Sequence, residues 1–116
     1  MKWFKHDSDA HTDAKVQSIL LDYGLEGYGL YFYCIELIVK DISETKLTFE
    51  LEHDARLIAF ATGSTEQKVT EMMNQFVKLG LFEQGVNNQI TCLKLLKRLD
   101  ASMVNSRLRP MIDKEV

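Results

Sequence analysis

Three short stretches of the sequence carry residue types that could do chemistry, and the first is GLEGYG at residues 24–29. Its three glycines raise the question of a phosphate-binding loop. A dinucleotide-binding loop needs the spacing GxGxxG directly after a strand, whereas these glycines follow a helical pattern and run in the reversed spacing. We therefore predict a junction between two helices. Gly24 ends the first helix, and Gly27 and Gly29 let the second begin close to a neighbouring backbone.

The second stretch is HDSDAH at residues 6–11, in which His6, Asp7, Asp9 and His11 are all able to bind a metal ion. Histidines five residues apart match no recognised ligand geometry on a helix or a strand. A loop rich in helix-capping residues is the preferred interpretation. No nucleophile, base and orienting group can be assembled from the Ser, Cys, His and Asp residues. We predict no metal site, no cofactor and no enzymatic activity.

The third stretch is the aromatic group that follows the glycines, which comprises Tyr28, Tyr31, Phe32 and Tyr33. Aromatic side chains can stack on single-stranded bases, but no basic residues interleave this group. Most of it lies on the apolar face of a helical pattern, so we expect the group to form core or to mediate self-association. Cys34, next to this group, and Cys92 lie far apart in the sequence with no CxxC spacing, so both are expected to be buried small hydrophobes.

Hydrophobic periodicity predicts five helices and a hairpin that position these stretches. Helices are expected at about 13–23, 26–40, 54–61 and 65–79, with a last helix at about 95–104. The helix at 26–40 is apolar over most of its circumference, which is typical of a central core helix or of one that buries a face against a partner.

Local signals mark the ends of these elements. Thr12 is placed to cap the first helix, and Ser64, with Gln67 three residues later, has the spacing of a capping box. Gly63 permits a tight turn and Gly80 is placed to end the helix at 65–79. The alternating segment KLTFELE at 46–52 predicts an edge strand, and residues 81–93 predict a hairpin whose turn is at 85–88.

The order helix, helix, strand, helix, tight turn, helix, hairpin is that of a winged helix-turn-helix, a mainly α fold with a small antiparallel β-sheet. The helix at 65–79 takes the recognition position and the hairpin forms the wing. We expect one domain over residues 1–104 and a frayed tail over 105–116. Such a fold by itself establishes no function.

The sequence also resembles the N-terminal domain of phage-type replisome organisers, which are related to the DnaD-like primosome proteins. The resemblance rests on WFKHDSDAHTDAKVQSILLDYGLEGYGLYFYCIELI, TGSTEQKVTEMMNQFVKLGLFEQ and ITCLKLLKRLD, and covers most of residues 3–100. It implies a winged helix that stands at the front of a longer protein, helps to load replication machinery on DNA and often self-associates.

The acidic charge of the chain argues against strong DNA binding. The chain has a net charge of −3, and residues 1–53 hold 5 Lys and Arg against 10 Asp and Glu. Strong DNA binding comes largely from phosphate neutralisation, so the recognition helix can be either a groove reader or a solvated face. The candidate DNA-binding residues are Thr65, Lys68, Thr70, Asn74, Gln75, Lys78, Lys94, Lys97 and Arg98.

Two functions follow from these observations. The first is a non-enzymatic, cytoplasmic winged-helix domain of phage or mobile-element DNA replication, which contacts DNA and works as a homo-oligomer. The alternative is a protein-interaction or oligomerisation module on the same scaffold, with no direct DNA contact and with replication proteins as partners. No apolar run is long enough to span a membrane, and the N-terminus lacks the apolar region of a signal peptide.

Overall fold

The computed structural model of the chain describes residues 2–42, 51, 54–87 and 89–98, and the side chains of residues 96–98 are not described. Its helices are α1 (Ala14–Lys40), α2 (Ala55–Thr62) and α3 (Glu66–Lys78), its strands are β1 (Glu83–Gln84) and β2 (Ile90–Thr91), and 3-10 turns occupy Ala10–Thr12 and Leu93–Arg98. The predicted class is confirmed: the fold is mainly helical with a small antiparallel sheet.

Helix α1 begins one residue later than the sequence predicted. Asp13 has extended backbone angles, and its carboxylate accepts hydrogen bonds from the backbone N–H groups of Lys15 (3.0 Å) and Val16 (3.2 Å). It therefore satisfies two donors that the first helical turn leaves without partners. The prediction that Thr12 caps this helix is wrong, because the Thr12 hydroxyl donates to the Asp9 carbonyl at 2.6 Å.

The predicted junction at Gly24 is confirmed as a sharp break inside α1. Gly24 has φ 66° and ψ −152°, a conformation that L side chains rarely adopt, and helix continues on both sides of it. Gly27 makes the close approach: a Cβ there would lie 2.7 Å from Ile19 Cγ2 and from Tyr23 Cβ. The same prediction is wrong for Gly29, because no described atom beyond its own stretch of helix lies within 4 Å of the position of its Cβ.

The part of α1 after the break is the centre of the core, as the apolar pattern predicted. Cys34 and Ile38 are fully buried, and the Cys34 thiol donates to the Met73 sulfur on α3 at 3.6 Å. Tyr31 packs against Phe76 and Phe82, with ring centroids 5.7 Å and 5.3 Å away.

A tight turn joins α2 to α3. Gly63 adopts the left-handed conformation at φ 75°, and the Ser64 N–H donates to the Ala59 carbonyl at 3.0 Å. The cap of α3 is Thr65, whose hydroxyl accepts from the Lys68 N–H at 3.2 Å. The predicted Ser64 cap is therefore wrong by one residue, and the Ser64 hydroxyl instead donates to Glu26 Oε1 at 3.3 Å.

The end of α3 leads directly into the predicted hairpin. Gly80 has φ 79°, its N–H donates to the Val77 carbonyl, and the Leu81 N–H donates to the Phe76 carbonyl. This pair of bonds satisfies the last carbonyls of the helix in a Schellman motif. Strands β1 and β2 then pair antiparallel, with Glu83 opposite Thr91 and Gln84 opposite Ile90.

Two predicted elements fall partly or wholly outside the described residues. Of the predicted strand at 46–52 only Leu51 is described, and its N–H donates to the carbonyl of Ile90 in β2 at 2.8 Å. The predicted last helix at 95–104 begins earlier, as the 3-10 segment Leu93–Arg98, because the Leu95 N–H bonds to the Cys92 carbonyl three residues back. Residues 99–104 and the predicted tail at 105–116 lie outside the described residues. Within the described part of the chain, no helix has the length and hydropathy needed to cross a membrane.

Candidate nucleic-acid interface

Helix α3 presents one continuous polar stripe to the solvent. Its residues recur three and four positions apart, which places them on one side of a helix, and all are exposed. They are Gln67, Thr70, Glu71, Asn74 and Lys78. We call this set the α3 stripe. The side-chain amides of Gln67 and Asn74 and the hydroxyl of Thr70 can form hydrogen bonds to base edges. The ammonium group of Lys78 can bind a phosphate.

The opposite side of α3 is held rigidly by the core. Val69 and Phe76 are fully buried and Met72 is 2% exposed. Because these side chains anchor the helix against α1 and α2, the α3 stripe is presented by a fixed element rather than by a loop. Such an element fits a groove without an ordering cost.

The charge of the α3 stripe is mixed. Lys78 is the cation of the set and Glu71 the anion, and Glu71 lies close to the phenol of Tyr23 on α1. Partial burial raises the pKa of Tyr23, and the carboxylates of Glu71 and Asp22 raise it further. The field at this edge of the stripe is therefore negative, and it opposes the approach of a phosphate.

The structure separates the predicted DNA-binding residues into three groups. Thr70, Asn74 and Lys78 lie together on the α3 stripe, with Gln75 half-buried at its border. Thr65 and Lys68 form the second group. The Thr65 hydroxyl caps the N-terminus of α3.

Lys68 faces away from the stripe and forms an ion pair with Glu26 of α1, with 3.9 Å between Nζ and Oε2. Both side chains are about half exposed, at 61% and 48%, so this pair contributes little to stability. Its proximity to a carboxylate also makes Lys68 a weaker candidate for phosphate binding than Lys78.

The third group is the predicted basic segment near residue 94. Lys94 lies beside Lys15 of α1, and desolvation and the neighbouring Lys15 both lower its pKa, while Asp13 and Glu83 act in the opposite direction. Lys94 is thus part of a mixed cluster near the start of α1. Lys97 and Arg98 lie in the 3-10 segment, and their side chains are outside the described set.

The hairpin has no cationic side chain that could bind a phosphate. Its turn carries Val86, which is 96% exposed, and Asn87, which is exposed. Residues 83–92 include no Lys or Arg. A phosphate contact by this hairpin has to come from backbone N–H or amide groups.

The predicted self-association residues are distributed between the core and the surface. Tyr31 is 9% exposed and belongs to the core. Phe32 stacks on His6, with ring centroids 4.0 Å apart, and Tyr28 lies 5.0 Å from Phe32. Tyr33 is half-buried. The stacking also shows that His6 packs against an aromatic ring, and among the described residues no three His, Cys, Asp or Glu side chains are grouped as a metal site.

A groove that sequence reasoning missed lies between α1 and the turn that joins α2 to α3. Its volume is about 460 Å³, and its floor is formed by Leu30, Val69 and Met72. Leu25 and Gly29 of α1 form one side. The available signal in the sequence was Gly29 itself, a glycine inside a helix on its polar face, where it costs helix stability.

Comparison with known proteins identifies a family and no closer relative. No curated protein and no solved structure matches the chain significantly. The family described as "Lin1244/Lin1753-like, N-terminal" matches residues 3–95, a range that takes in the described helices and the hairpin. The chain therefore belongs to the Lin1244/Lin1753-like N-terminal family.

Proposed function

We propose that this domain is a non-enzymatic winged helix that binds DNA through the α3 stripe. The observation that carries the proposal is the uninterrupted exposure of Thr70, Asn74 and Lys78 on a helix whose other side is locked in the core. In helix-turn-helix proteins the second helix of the pair lies in the major groove and the first crosses the backbone. Helices α2 and α3, joined by the turn at Gly63, fit these two positions.

The chemistry of the stripe supports modest affinity. Asn74 can bond to adenine through its amide, Thr70 can bond to a base edge or a phosphate, and Lys78 can neutralise a phosphate. Glu71 opposes phosphate approach, and the chain is acidic overall. Binding is therefore expected to be weak for an isolated domain and to fall steeply with salt.

The resemblance to phage-type replisome organisers supports a narrower proposal, which is a role in phage or mobile-element DNA replication in the cytoplasm. The polar stripe on α3 is compatible with that role. In this proposal the domain contributes contacts to DNA within an assembly that holds several copies, so weak contacts of single copies add up.

Two substitutions of opposite sign on the same stripe test direct DNA contact. Lys78→Glu should weaken binding of fluorescently labelled double-stranded DNA at low salt at least tenfold, and it should reduce the slope of log affinity against log salt by about 1. Glu71→Gln should tighten binding, because it removes a negative charge that faces the phosphates. Fluorescence anisotropy, with single-stranded DNA measured in parallel, gives both affinities.

The matched control is Lys40→Glu, which makes the same charge change on an exposed lysine at the end of α1. It should alter affinity only through the net charge, and so much less than Lys78→Glu. Equal effects of the two lysine variants, or no binding of either form of DNA by the unmodified domain, would rule out contact through the α3 stripe.

A further inference from the structure

The α3 stripe carries a carboxylate in the middle of its exposed surface. Two shallow depressions lie along the stripe, one reaching back to Gln67 and the other forward to Lys78, and Glu71 and Asn74 line both of them. DNA that contacts Asn74 and Lys78 therefore also meets Glu71. A carboxylate in that place lowers the affinity for phosphates, and it loses water without compensation unless the DNA donates a hydrogen bond to it.

Helix stability does not account for this carboxylate. Glu71 lies in the second turn of α3, beyond the first turn in which a negative charge stabilises a helix N-terminus. The residues four positions away are Gln67 and Gln75, so no lysine or arginine is placed to form an i,i+4 pair with it. Lys68 pairs with Glu26 of α1 instead. Among the described residues, the Glu71 carboxylate takes part in no hydrogen bond or ion pair, so its acceptor sites are available to a ligand.

The hydrogen-bonding pattern of the major groove determines which base suits a carboxylate. An ionised carboxylate only accepts hydrogen bonds. In the major groove guanine presents two acceptors, thymine an acceptor and a methyl group, and adenine a donor beside an acceptor, whereas cytosine presents the donor at its N4 amino group. Cytosine is thus the base whose own edge offers Glu71 a donor and no competing acceptor.

The spacing of Glu71 and Asn74 fits neighbouring base pairs. The two residues are three positions apart, which is about 4.5 Å along a helix axis, and successive base pairs of B-DNA are about 3.4 Å apart. The Asn74 amide both donates and accepts, so it matches the N6 and N7 atoms of adenine. A helix that lies along the groove can therefore place a carboxylate on one base pair and an amide on the next.

We propose that Glu71 is a specificity-determining residue, which accepts a hydrogen bond from the N4 amino group of a cytosine next to the adenine that Asn74 contacts. This proposal rests on the DNA binding proposed above for the α3 stripe. The carboxylate repels the phosphates of DNA of any sequence, and it strengthens binding only where cytosine stands at this position. Both effects increase the difference in affinity between the preferred sequence and all others.

Selection from a randomised duplex library tests the proposal. The full chain is incubated at low salt with duplexes whose central base pairs are randomised, and the bound fraction is sequenced. Cytosine next to adenine should be enriched at least about fivefold over the other bases at its position. Glu71→Gln should bind the pool as a whole more tightly, and it should change the preferred base at that position from cytosine to adenine, because a glutamine amide matches adenine.

The matched control is Glu36→Gln, which makes the same charge change at an exposed carboxylate of α1. It should leave the preferred bases unchanged. Circular dichroism should show the same helical content for this variant, for Glu71→Gln and for the unmodified chain.

A chemical change in the DNA removes the same hydrogen bond from the other side. N4-methylcytosine keeps its pair with guanine, but its methyl group replaces the amino hydrogen that faces the major groove. At the selected position it should weaken binding of the unmodified chain at least about fivefold, and it should leave the affinity of Glu71→Ala unchanged. The same modification of a cytosine outside the selected base pairs is the control.

The results separate this proposal from the DNA binding on which it rests. If the unmodified chain retains no DNA, or if Lys78→Glu retains as much DNA as the unmodified chain, contact through the α3 stripe fails and the role of Glu71 fails with it. If binding depends on Lys78 but the bound pool has no cytosine preference, the DNA-binding proposal stands and the role of Glu71 is overturned. A cytosine preference that persists unchanged in Glu71→Gln overturns it as well.

Discussion

At the scale of single residues, burial decides the chemistry of the two cysteines. Cys34 and Cys92 were predicted from the sequence to be buried small hydrophobes, and they are 0% and 1% exposed. Desolvation raises the pKa of the Cys34 thiol from 9.0 to about 12. For Cys92 desolvation is again the main cause, and its pKa is raised to about 11. Neither thiol is therefore suited to act as a nucleophile.

These raised pKa values predict a loss of stability at alkaline pH. Well below pH 9 both thiols are neutral in the folded and unfolded chain, so they contribute no pH dependence there. Between pH 9 and about 11 the unfolded chain releases thiol protons that the folded chain keeps, so the free energy of unfolding falls by up to about 1.4 kcal/mol per pH unit for each thiol. Urea unfolding at several pH values measures this slope.

The control for that measurement is Cys34→Ala. The variant should be less stable at pH 7, because it leaves a cavity beside Met73. Its stability should nevertheless decline less steeply above pH 9 than that of the unmodified chain. An identical slope in the two proteins would show that Cys34 does not titrate in this way.

At the scale of elements, two glycines that follow the break in α1 have opposite packing environments. A Cβ at Gly27 would lie 2.7 Å from Ile19 Cγ2 and Tyr23 Cβ, whereas Gly29 faces open space. The first glycine lets the two parts of α1 approach each other, and the second only weakens the helix. The same residue type, two positions apart, thus has a packing role in one case and none within the described chain in the other.

We predict effects of opposite sign from the same substitution at these two positions. Gly27→Ala should lower the free energy of unfolding by about 1–3 kcal/mol, because the methyl group overpacks the contact with Ile19. Gly29→Ala should raise it by up to about 1 kcal/mol through helix propensity. Urea unfolding at low protein concentration measures both. A destabilising Gly29→Ala would show that this position is packed.

Patterns spanning whole elements were predictable, whereas single-residue choices were not. The helices at 26–40 and 65–79 and the hairpin followed from periodicity and turn residues, because burial of an apolar face fixes these elements. The caps were wrong by one residue, at Thr12 and at Ser64. Neighbouring residues there can all accept a backbone N–H, and the backbone angles of Asp13 and Thr65 decide which one does. The groove escaped prediction because it forms between segments distant in sequence.

At the scale of the whole molecule, the groove and the α3 stripe lie on different sides of α3. Val69 and Met72 line the groove, while Thr70, Asn74 and Lys78 lie on the polar stripe. On a helix of 3.6 residues per turn these two sets point in nearly opposite directions. A molecule bound in the groove would therefore leave the α3 stripe free to contact DNA.

Nuclear magnetic resonance tests most directly whether DNA lies against α3. In a titration of the ¹⁵N-labelled chain with a short DNA duplex at low salt, the amide signals of Thr70, Asn74 and Lys78 should shift most. The signals of Glu36 and Lys40 on the exposed side of α1 should stay in place. Shifts confined to α1, or no shifts at any DNA concentration, would show that DNA does not lie against α3.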